Sequence, residues 1–250
     1  MDAIDALTEQ QAELSGLLAD LDEPDWARPS RCEGWSVADV VIHLAQTNDM
    51  ATGSARGRFS EALEELTDGL TGAGSVDEGA DLMVRRERGQ PGSKVRDRWE
   101  ASVVALRDAL AAVDPSTRVT WVAGELSART LATTRLAETW IHTGDVADGL
   151  GVMLAPSDRL QLVARLAWRT LPYAFGMAGR ELAGPVAFDL VGPGGDAWVF
   201  MPEETPLTTV RGDGVELCLV AARRLAPSET GLRGEGPDVD AVLDLVRTYA

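Results

Sequence analysis

The chain has 250 residues, of which 45% are hydrophobic, and its 40 acidic and 23 basic side chains give a formal net charge of −17. This hydrophobic content can fill a core and argues against a disordered protein, while the negative charge argues against nucleic acid or an anionic membrane as a partner. Two histidines and two cysteines are too few for a histidine-rich metal tract, a four-cysteine zinc module or a disulfide-stapled scaffold.

Helical spacing of apolar residues dominates the first 180 residues. An amphipathic helix is predicted over residues 2–22, and the loop 28–35 leads to a second helix that opens at Ser36 with the capping signature SVAD. The further predicted helices are one or two short ones within 51–92 and three longer ones over 94–113, 127–150 and 157–179. Long helices in this number are typical of a helical bundle.

The periodicity changes near residue 184, where a β-hairpin is predicted with strands over 186–191 and 197–200. The remaining predicted elements are a third strand and two helices, over 207–210, 215–224 and 239–249. We therefore expect a mainly α protein of two domains, a helical bundle over 1–183 and a small α/β domain over 184–250.

No window approaches the roughly 20 uninterrupted apolar residues of a membrane-spanning helix, and the N-terminal sequence MDAIDALTEQ lacks the basic and apolar regions of a signal peptide. We therefore expect a cytoplasmic protein. Cys32 and Cys218 lie far apart without a C-x-x-C spacing and are expected to be unpaired thiols in a reducing compartment. Lys94 is the only lysine among 23 basic residues, and this scarcity of AT-rich codons indicates a GC-rich genome.

Three residues on two predicted helices form a candidate metal site. Glu138 and His142 are four residues apart, so their side chains lie on one face of the helix 127–150. His43 lies at the edge of the apolar stripe of the second helix, and it meets Glu138 and His142 if the two helices pack side by side. Two histidines and a carboxylate with one vacant position are typical of catalytic zinc, and other divalent metals fit the same ligands. A plain hydrogen bond between Glu138 and His142, with His43 as a core residue, is the open alternative.

Two carboxylates have the spacing to orient these histidines. Asp39 is the acid of the capping signature and lies four residues before His43, while Asp145 lies three residues after His142. A carboxylate that accepts a hydrogen bond from a metal-ligating histidine fixes the ring.

An arginine and the two cysteines have simpler interpretations than a catalytic role. Arg135 precedes Glu138 by three residues and is expected to form an ion pair with it. Cys32 is a poor candidate for a nucleophile, because no third histidine is left to act as its base. Cys218 lies in an apolar helix and is expected to serve packing.

Two segments carry a resemblance to a known family, PSRCEGWSVADVVIHL over 29–44 and ETWIHTGDVA over 138–147. Together they resemble the mycothiol-dependent maleylpyruvate isomerase family. The predicted hairpin, the segment ELCL over 216–219 and the segment GLRGEG over 231–236 extend the resemblance over nearly the whole chain. It implies a DinB-like four-helix bundle followed by a small α/β C-terminal domain.

The resemblance also implies a metal and a cosubstrate. It assigns a divalent metal, usually zinc, to His43, Glu138 and His142, and the open metal position to the thiol of mycothiol, the low-molecular-weight thiol of actinobacteria. In the family, an arginine at the end of the C-terminal-domain helix is associated with the site. Arg223 is the best match in this chain, with Arg224 beside it. Membership of the family does not define the substrate.

These features predict an enzyme in which a divalent metal activates a thiol to attack an electrophilic small molecule. A free thiol has a pKa of about 8.5, and coordination to a metal removes its proton at neutral pH. Addition to a double bond, rotation and elimination would isomerise the substrate, whereas addition or displacement without elimination would make the protein an S-transferase. Arg223 is expected to bind a substrate carboxylate.

Two other functions stay open at this point. A metal-bound water could hydrolyse a substrate, with Asp145 as the candidate general base. The protein could also bind metal without catalysis, as a sensor or through a structural site. A structural site would need a fourth protein ligand, such as a carboxylate from residues 51–92. Either a monomer or a homodimer is compatible with the sequence.

Overall fold

The computed structural model describes residues 1–72, 74–122 and 124–248, and the chain divides into two compact units, Met1–Leu154 and Ala155–Ala250. The helices and strands of the first unit are, in chain order, α1 Ala3–Leu18, α2 Glu23–Trp26, α3 Val37–Ala55, α4 Phe59–Thr67, α5 Val76–Glu87, α6 Gly92–Ala111, β1 Arg118–Trp121, β2 Gly124–Ser127 and α7 Ala128–Leu150.

The four long helices of the first unit form a bundle. α1 and α3 each pack against both α6 and α7, so the four helices close around one core. Apolar residues at helical spacing fill this core, because each helix buries one apolar stripe. Its fully buried members include Leu7, Leu14, Val40, Leu44, Trp99, Leu106, Leu131 and Leu136. The mainly α fold that the sequence predicts is confirmed.

The helices that carry the candidate ligands begin and end at recognisable residues. The hydroxyl of Ser36 accepts a hydrogen bond from the Asp39 amide, and the Asp39 carboxylate accepts one from the Ser36 amide, which completes the capping box of α3. At the N-terminus of α7, the hydroxyl of Ser127 accepts a hydrogen bond from the Thr130 amide. Gly151 ends α7 with φ +73°, in the left-handed region where a side chain would be strained.

A close approach fixes the loop before α3 against α7. A Cβ added to Gly149 would lie 2.6 Å from the carbonyl oxygen of Pro29, so only glycine allows this packing. Two residues further along the loop, the amide of Arg31 donates a hydrogen bond to the carbonyl of Asp145. Cys32 and Trp35 are thereby held next to the face of α7 that carries the candidate ligands.

The second unit contains a four-stranded sheet, made of β3 Val186–Val191, β4 Ala197–Phe200, β5 Thr208–Asp213 and β6 Arg233–Glu235. The spatial order of these strands is β4-β3-β5-β6. β3 pairs antiparallel with β4 and parallel with β5, and β5 pairs antiparallel with β6. The hairpin predicted from the sequence is therefore present. The elements of this unit are α8 Leu160–Arg169, α9 Leu171–Met177, β3 Val186–Val191, β4 Ala197–Phe200, β5 Thr208–Asp213, α10 Gly214–Ala221, a 3-10 turn Pro227–Glu229, β6 Arg233–Glu235 and α11 Val239–Leu245.

The structure differs from the predicted elements in three places. The compact units divide after Leu154, whereas the sequence places the domain boundary near residue 183; α8 packs on α10 and β4, so it belongs to the second unit. The single helix predicted over 157–179 is two helices, because Pro172 lies in the first turn of α9 and cannot donate a backbone hydrogen bond. Between α6 and α7, where no element is predicted from the sequence, strand β1 pairs with β2.

Two further observations concern the limits of the described structure. Residues 249 and 250, at the end of the last predicted helix, lie outside the described residues. Among the described residues, no helix combines the length and the apolar character needed to cross a membrane.

Candidate metal centre

The packing of α3 against α7 brings together the three candidate ligands. Nε2 of His43 lies 2.9 Å from Oε1 of Glu138, and Nε2 of His142 lies 3.6 Å from the same oxygen. The two imidazole rings meet edge to face with centroids 5.0 Å apart. All three side chains are buried. The convergence predicted from helical spacing is present in the fold.

These donors fit a small divalent cation. One ligand atom of each residue lies within 4.8 Å of the other two. Zinc bonds of 2.0–2.1 Å in a tetrahedron separate ligand atoms by about 3.4 Å, and the observed separations of 2.9 and 3.6 Å bracket that value. Imidazole and carboxylate donors suit zinc and neighbouring first-row metals.

Asp145 contacts His142 as its spacing predicts. Its Oδ2 lies 2.9 Å from Nδ1 of His142, on the side of the ring opposite Glu138. A carboxylate in this position holds the proton on Nδ1 and leaves Nε2 to face the cluster.

Asp39 does not make the expected contact with His43. Its two carboxylate oxygens bind the Ser36 amide and the guanidinium of Arg88, the latter at 2.9 Å. The buried Nδ1 of His43 has no hydrogen-bond partner among the described residues. The capping box and Arg88 hold the carboxylate at the first turn of α3, away from the ring.

The electrostatics of the cluster separate the two histidines. Burial lowers the pKa of His43, and the hydrogen bond with Glu138 opposes this effect only in part. Burial also disfavours the charged form of His142, but its contacts with Asp145, Cys32 and Glu138 outweigh burial and raise its pKa well above the usual value. Burial would raise the pKa of Glu138, yet hydrogen bonds with His142 and His43 hold it well below its usual range. These directions favour an ionised Glu138 beside a protonated His142 when no metal is bound.

Two residues of the loop before α3, Cys32 and Trp35, also contact the cluster, although neither is among the site residues predicted from the sequence. The thiol of Cys32 donates to Oδ2 of Asp145 at 3.2 Å and lies 3.7 Å from Nδ1 of His142. The ring of Trp35 packs against that of His43, with centroids 5.1 Å apart. The only available signal was their place in the loop that leads to the His43 helix.

A cavity of about 650 Å³ lies at this loop, and none of the candidate ligands His43, Glu138 and His142 is among its lining residues. Its lining includes Cys32 and Trp35, the same residues that touch the two histidines, and it extends to the segment around Arg88. Volumes of this size are typical of small-molecule sites.

Arg135 does not form the ion pair expected with Glu138. Its Nη2 donates to the hydroxyl of Thr47 at 2.8 Å, and no carboxylate among the described residues lies within ion-pair distance. Burial lowers the pKa of this guanidinium below its usual value, against the opposing charge of Glu138.

Arg223 lies just after α10, in the second unit. It adopts φ +59°, the only left-handed non-glycine residue among the described residues, and its side chain is exposed. Arg224 next to it donates Nη1 to the carbonyl of Ala222 at 3.1 Å. A role of Arg223 toward a substrate stays a prediction.

The chain is therefore a four-helix-bundle protein with a small α/β unit after the bundle. A buried histidine–glutamate cluster lies between two helices of the bundle. The family described as mycothiol maleylpyruvate isomerase N-terminal domain matches residues 7–147, and the chain belongs to this family.

The matches to similar proteins cover nearly the whole chain. Two proteins of Mycobacterium tuberculosis, from two strains and both described as uncharacterized, are 30% identical over 245 residues, which cover 98% of this chain and 93% of each relative. Two crystal structures, of the mycothiol-dependent maleylpyruvate isomerase and of a mutant of it, match with a TM-score of 0.61 at 19% identity. These matches cover 95% of this chain and 94% of the other, and they show a shared fold.

Proposed function

We propose that the protein is an enzyme that binds a divalent metal, in the first place zinc, at His43, Glu138 and His142 and uses mycothiol to convert an electrophilic small molecule. The observation that carries the proposal is the convergence of three donor atoms from two helices on one buried point. Membership of the mycothiol maleylpyruvate isomerase family supports the choice of thiol and of an isomerase or S-transferase reaction.

The residues of the chain prepare the site for this chemistry. A divalent metal, when bound, lowers the pKa of a coordinated thiol so that it is a thiolate at neutral pH. Asp145 orients His142 toward the cluster, and the ring of Trp35 packs against that of His43 in a tilted contact. The cavity beside Cys32 and Trp35 is the place where we expect the thiol cosubstrate to enter.

The two candidate reactions differ in the fate of one bond. The thiol gives up its proton and its sulfur forms a C–S bond to the electrophilic carbon. If rotation about the former double bond is followed by cleavage of the same C–S bond, mycothiol is regenerated and the substrate is isomerised. If a proton is instead added to the neighbouring carbon, the C–S bond persists and the protein is an S-transferase.

The geometry gives less support to the other functions. Asp145 is engaged by His142 and Cys32, so it is not free to act as the base of a metal-water hydrolase. Among the described residues, no carboxylate from 51–92 joins His43, Glu138 and His142 as the fourth ligand that a structural site would need; the second group of possible ligands is Cys32 with His142 and Asp145.

Metal analysis combined with a thiol assay tests the proposal. Wild-type protein is expected to contain one divalent metal per chain by mass spectrometry, and His43→Ala and Glu138→Ala to lose it. Glu87→Gln is the matched control, since Glu87 pairs with Arg98 on another helix and should not affect metal content. Absence of metal from the wild type would overturn the whole proposal. Metal without any consumption or adduct of mycothiol, across a panel of electrophiles, would overturn the thiol reaction alone.

A further inference from the structure

Arg135 is a charged side chain buried in the bundle, with no carboxylate of the described residues within ion-pair distance; the charge of Glu138 acts on it only from further away. It is only 2% exposed, and its single hydrogen bond within the described part of the chain goes to the neutral hydroxyl of Thr47. Its Nε is also buried and has no partner there. A guanidinium offers five N–H donors, so most of its hydrogen-bonding capacity is unused.

This arrangement is unfavourable for a residue with a purely structural role. Buried charges in proteins are normally paired, because an unpaired ion loses its hydration without compensation. Arg98 in the same bundle shows the paired case, with Asp49 at 2.9 Å and Glu87 at 2.7 Å. The contrast indicates that Arg135 meets its anion only when a ligand is bound.

The position of Arg135 relates this missing anion to the metal centre. Arg135 precedes Glu138 by three residues on α7, and its partner Thr47 follows His43 by four residues on α3. At a rise of about 1.5 Å per residue, the Cα atoms of Arg135 and Glu138 lie about 4.5 Å apart along the axis of α7, and those of Thr47 and His43 about 6 Å apart along α3. The cavity beside Trp35 reaches Asp39 on the other side of His43. Arg135 and the cavity therefore lie on opposite sides of His43 along α3.

We infer that Arg135 binds a carboxylate of the electrophilic substrate, on the side of the cluster opposite the thiol cavity. The planar fork of a guanidinium matches a carboxylate with two parallel hydrogen bonds. The inference rests on the proposed function for the identity of the ligand as a substrate, but the anion site itself does not require the metal.

Binding of maleate, a small unsaturated dicarboxylate, against its neutral diamide tests the inference. Affinity is measured by calorimetry and by the shift in Tm, on metal-loaded and on metal-free protein, so that binding at Arg135 is separated from binding to the metal. Wild type is expected to prefer maleate, and Arg135→Met to weaken maleate binding by about tenfold to a hundredfold with unchanged metal content. Arg135→Lys, which keeps the charge but not the fork, should lie between them.

Arg98→Met is the matched control. It removes a paired arginine, so it should lower the Tm of the free protein while leaving maleate affinity unchanged. Arg135→Met should keep the Tm of the free protein but lose the rise caused by maleate. Equal maleate affinity in wild type and Arg135→Met would overturn the inference. So would a wild type that does not distinguish maleate from the diamide, a result that decides the matter even if Arg135→Met does not fold. Loss of the metal alone would overturn the proposed function and leave the anion site standing.

Discussion

Each ligand of the cluster is prepared by a different neighbour. His142 has Asp145 on Nδ1 and Glu138 toward Nε2, whereas His43 has Glu138 on Nε2 and, within the described part of the chain, no partner for Nδ1. The orientation of His142 therefore depends on one carboxylate, and that of His43 on packing against Trp35.

Asp145→Asn is expected to weaken zinc binding by about 10- to 100-fold, because the carboxylate that orients His142 is lost. Competition with a chelator of known affinity measures the change. Asp148→Asn is the control, since Asp148 is exposed on the same helix. Equal affinities of the two variants would show that the contact with Asp145 does not matter for the metal.

Zinc binding is expected to release a proton at neutral pH. The pKa of His142 lies well above its usual value in the metal-free protein, so this ring is protonated and must give up a proton to coordinate. His43, whose pKa is lowered, contributes none. Affinity should thus rise with pH until the pH passes the pKa of His142. Calorimetry in buffers of different ionisation enthalpy counts the protons, and heats independent of the buffer would contradict the prediction.

The raised pKa of His142 also determines how the stability of the metal-free protein changes with pH. A histidine whose pKa is raised in the folded state stabilises the protein below its unfolded pKa and loses that contribution as the pH rises through the folded pKa. The metal-free protein should therefore lose stability as the pH rises through the raised pKa of His142, as measured by urea denaturation across a pH series.

At the scale of elements, the loop before α3 is held by its contact with α7. Gly149→Ala would place a methyl group 2.6 Å from the Pro29 carbonyl and is expected to cost about 1–3 kcal/mol of unfolding free energy. Gly144→Ala on the same helix has nothing within 4 Å and should be neutral or stabilising by up to about 1 kcal/mol. Urea denaturation compares the two variants. Equal stabilities would mean that the loop adapts without strain.

The sequence predicts elements with strong local signals and misses those that depend on tertiary contacts. The Ser36 capping signature and the apolar stripes define α3 and α7, and the spacing of Glu138 and His142 identifies two of the three candidate ligands. That His43 faces them follows from the packing of two helices, which helical periodicity allows but does not determine. The unpaired Arg135 could not be foreseen, because its spacing from Glu138 suits an ion pair equally well.

Elements of low periodicity account for the other differences. Strand β1 has four residues, too few for an alternating pattern, and its pairing with β2 is a tertiary fact. The domain boundary was placed where helical periodicity ends, but α8 is a helix of the second unit.

For the whole molecule, the ligands come from two helices of one bundle, so metal binding should stabilise the folded first unit. A ligand at 100 times its Kd adds about 2.7 kcal/mol to the free energy of unfolding. Zinc is therefore expected to raise the Tm of the wild type and not that of His43→Ala, as followed by scanning calorimetry. An identical rise in both would place the stabilising metal elsewhere.

We propose a metal centre with one position open to a thiol. X-ray absorption on the zinc-loaded protein, before and after addition of mycothiol, is the most direct test of that open position. We expect nitrogen and oxygen ligands at about 2.0–2.1 Å at first, and one new sulfur at about 2.3 Å after mycothiol is added. An unchanged spectrum, or a sulfur ligand already present from Cys32, would contradict it.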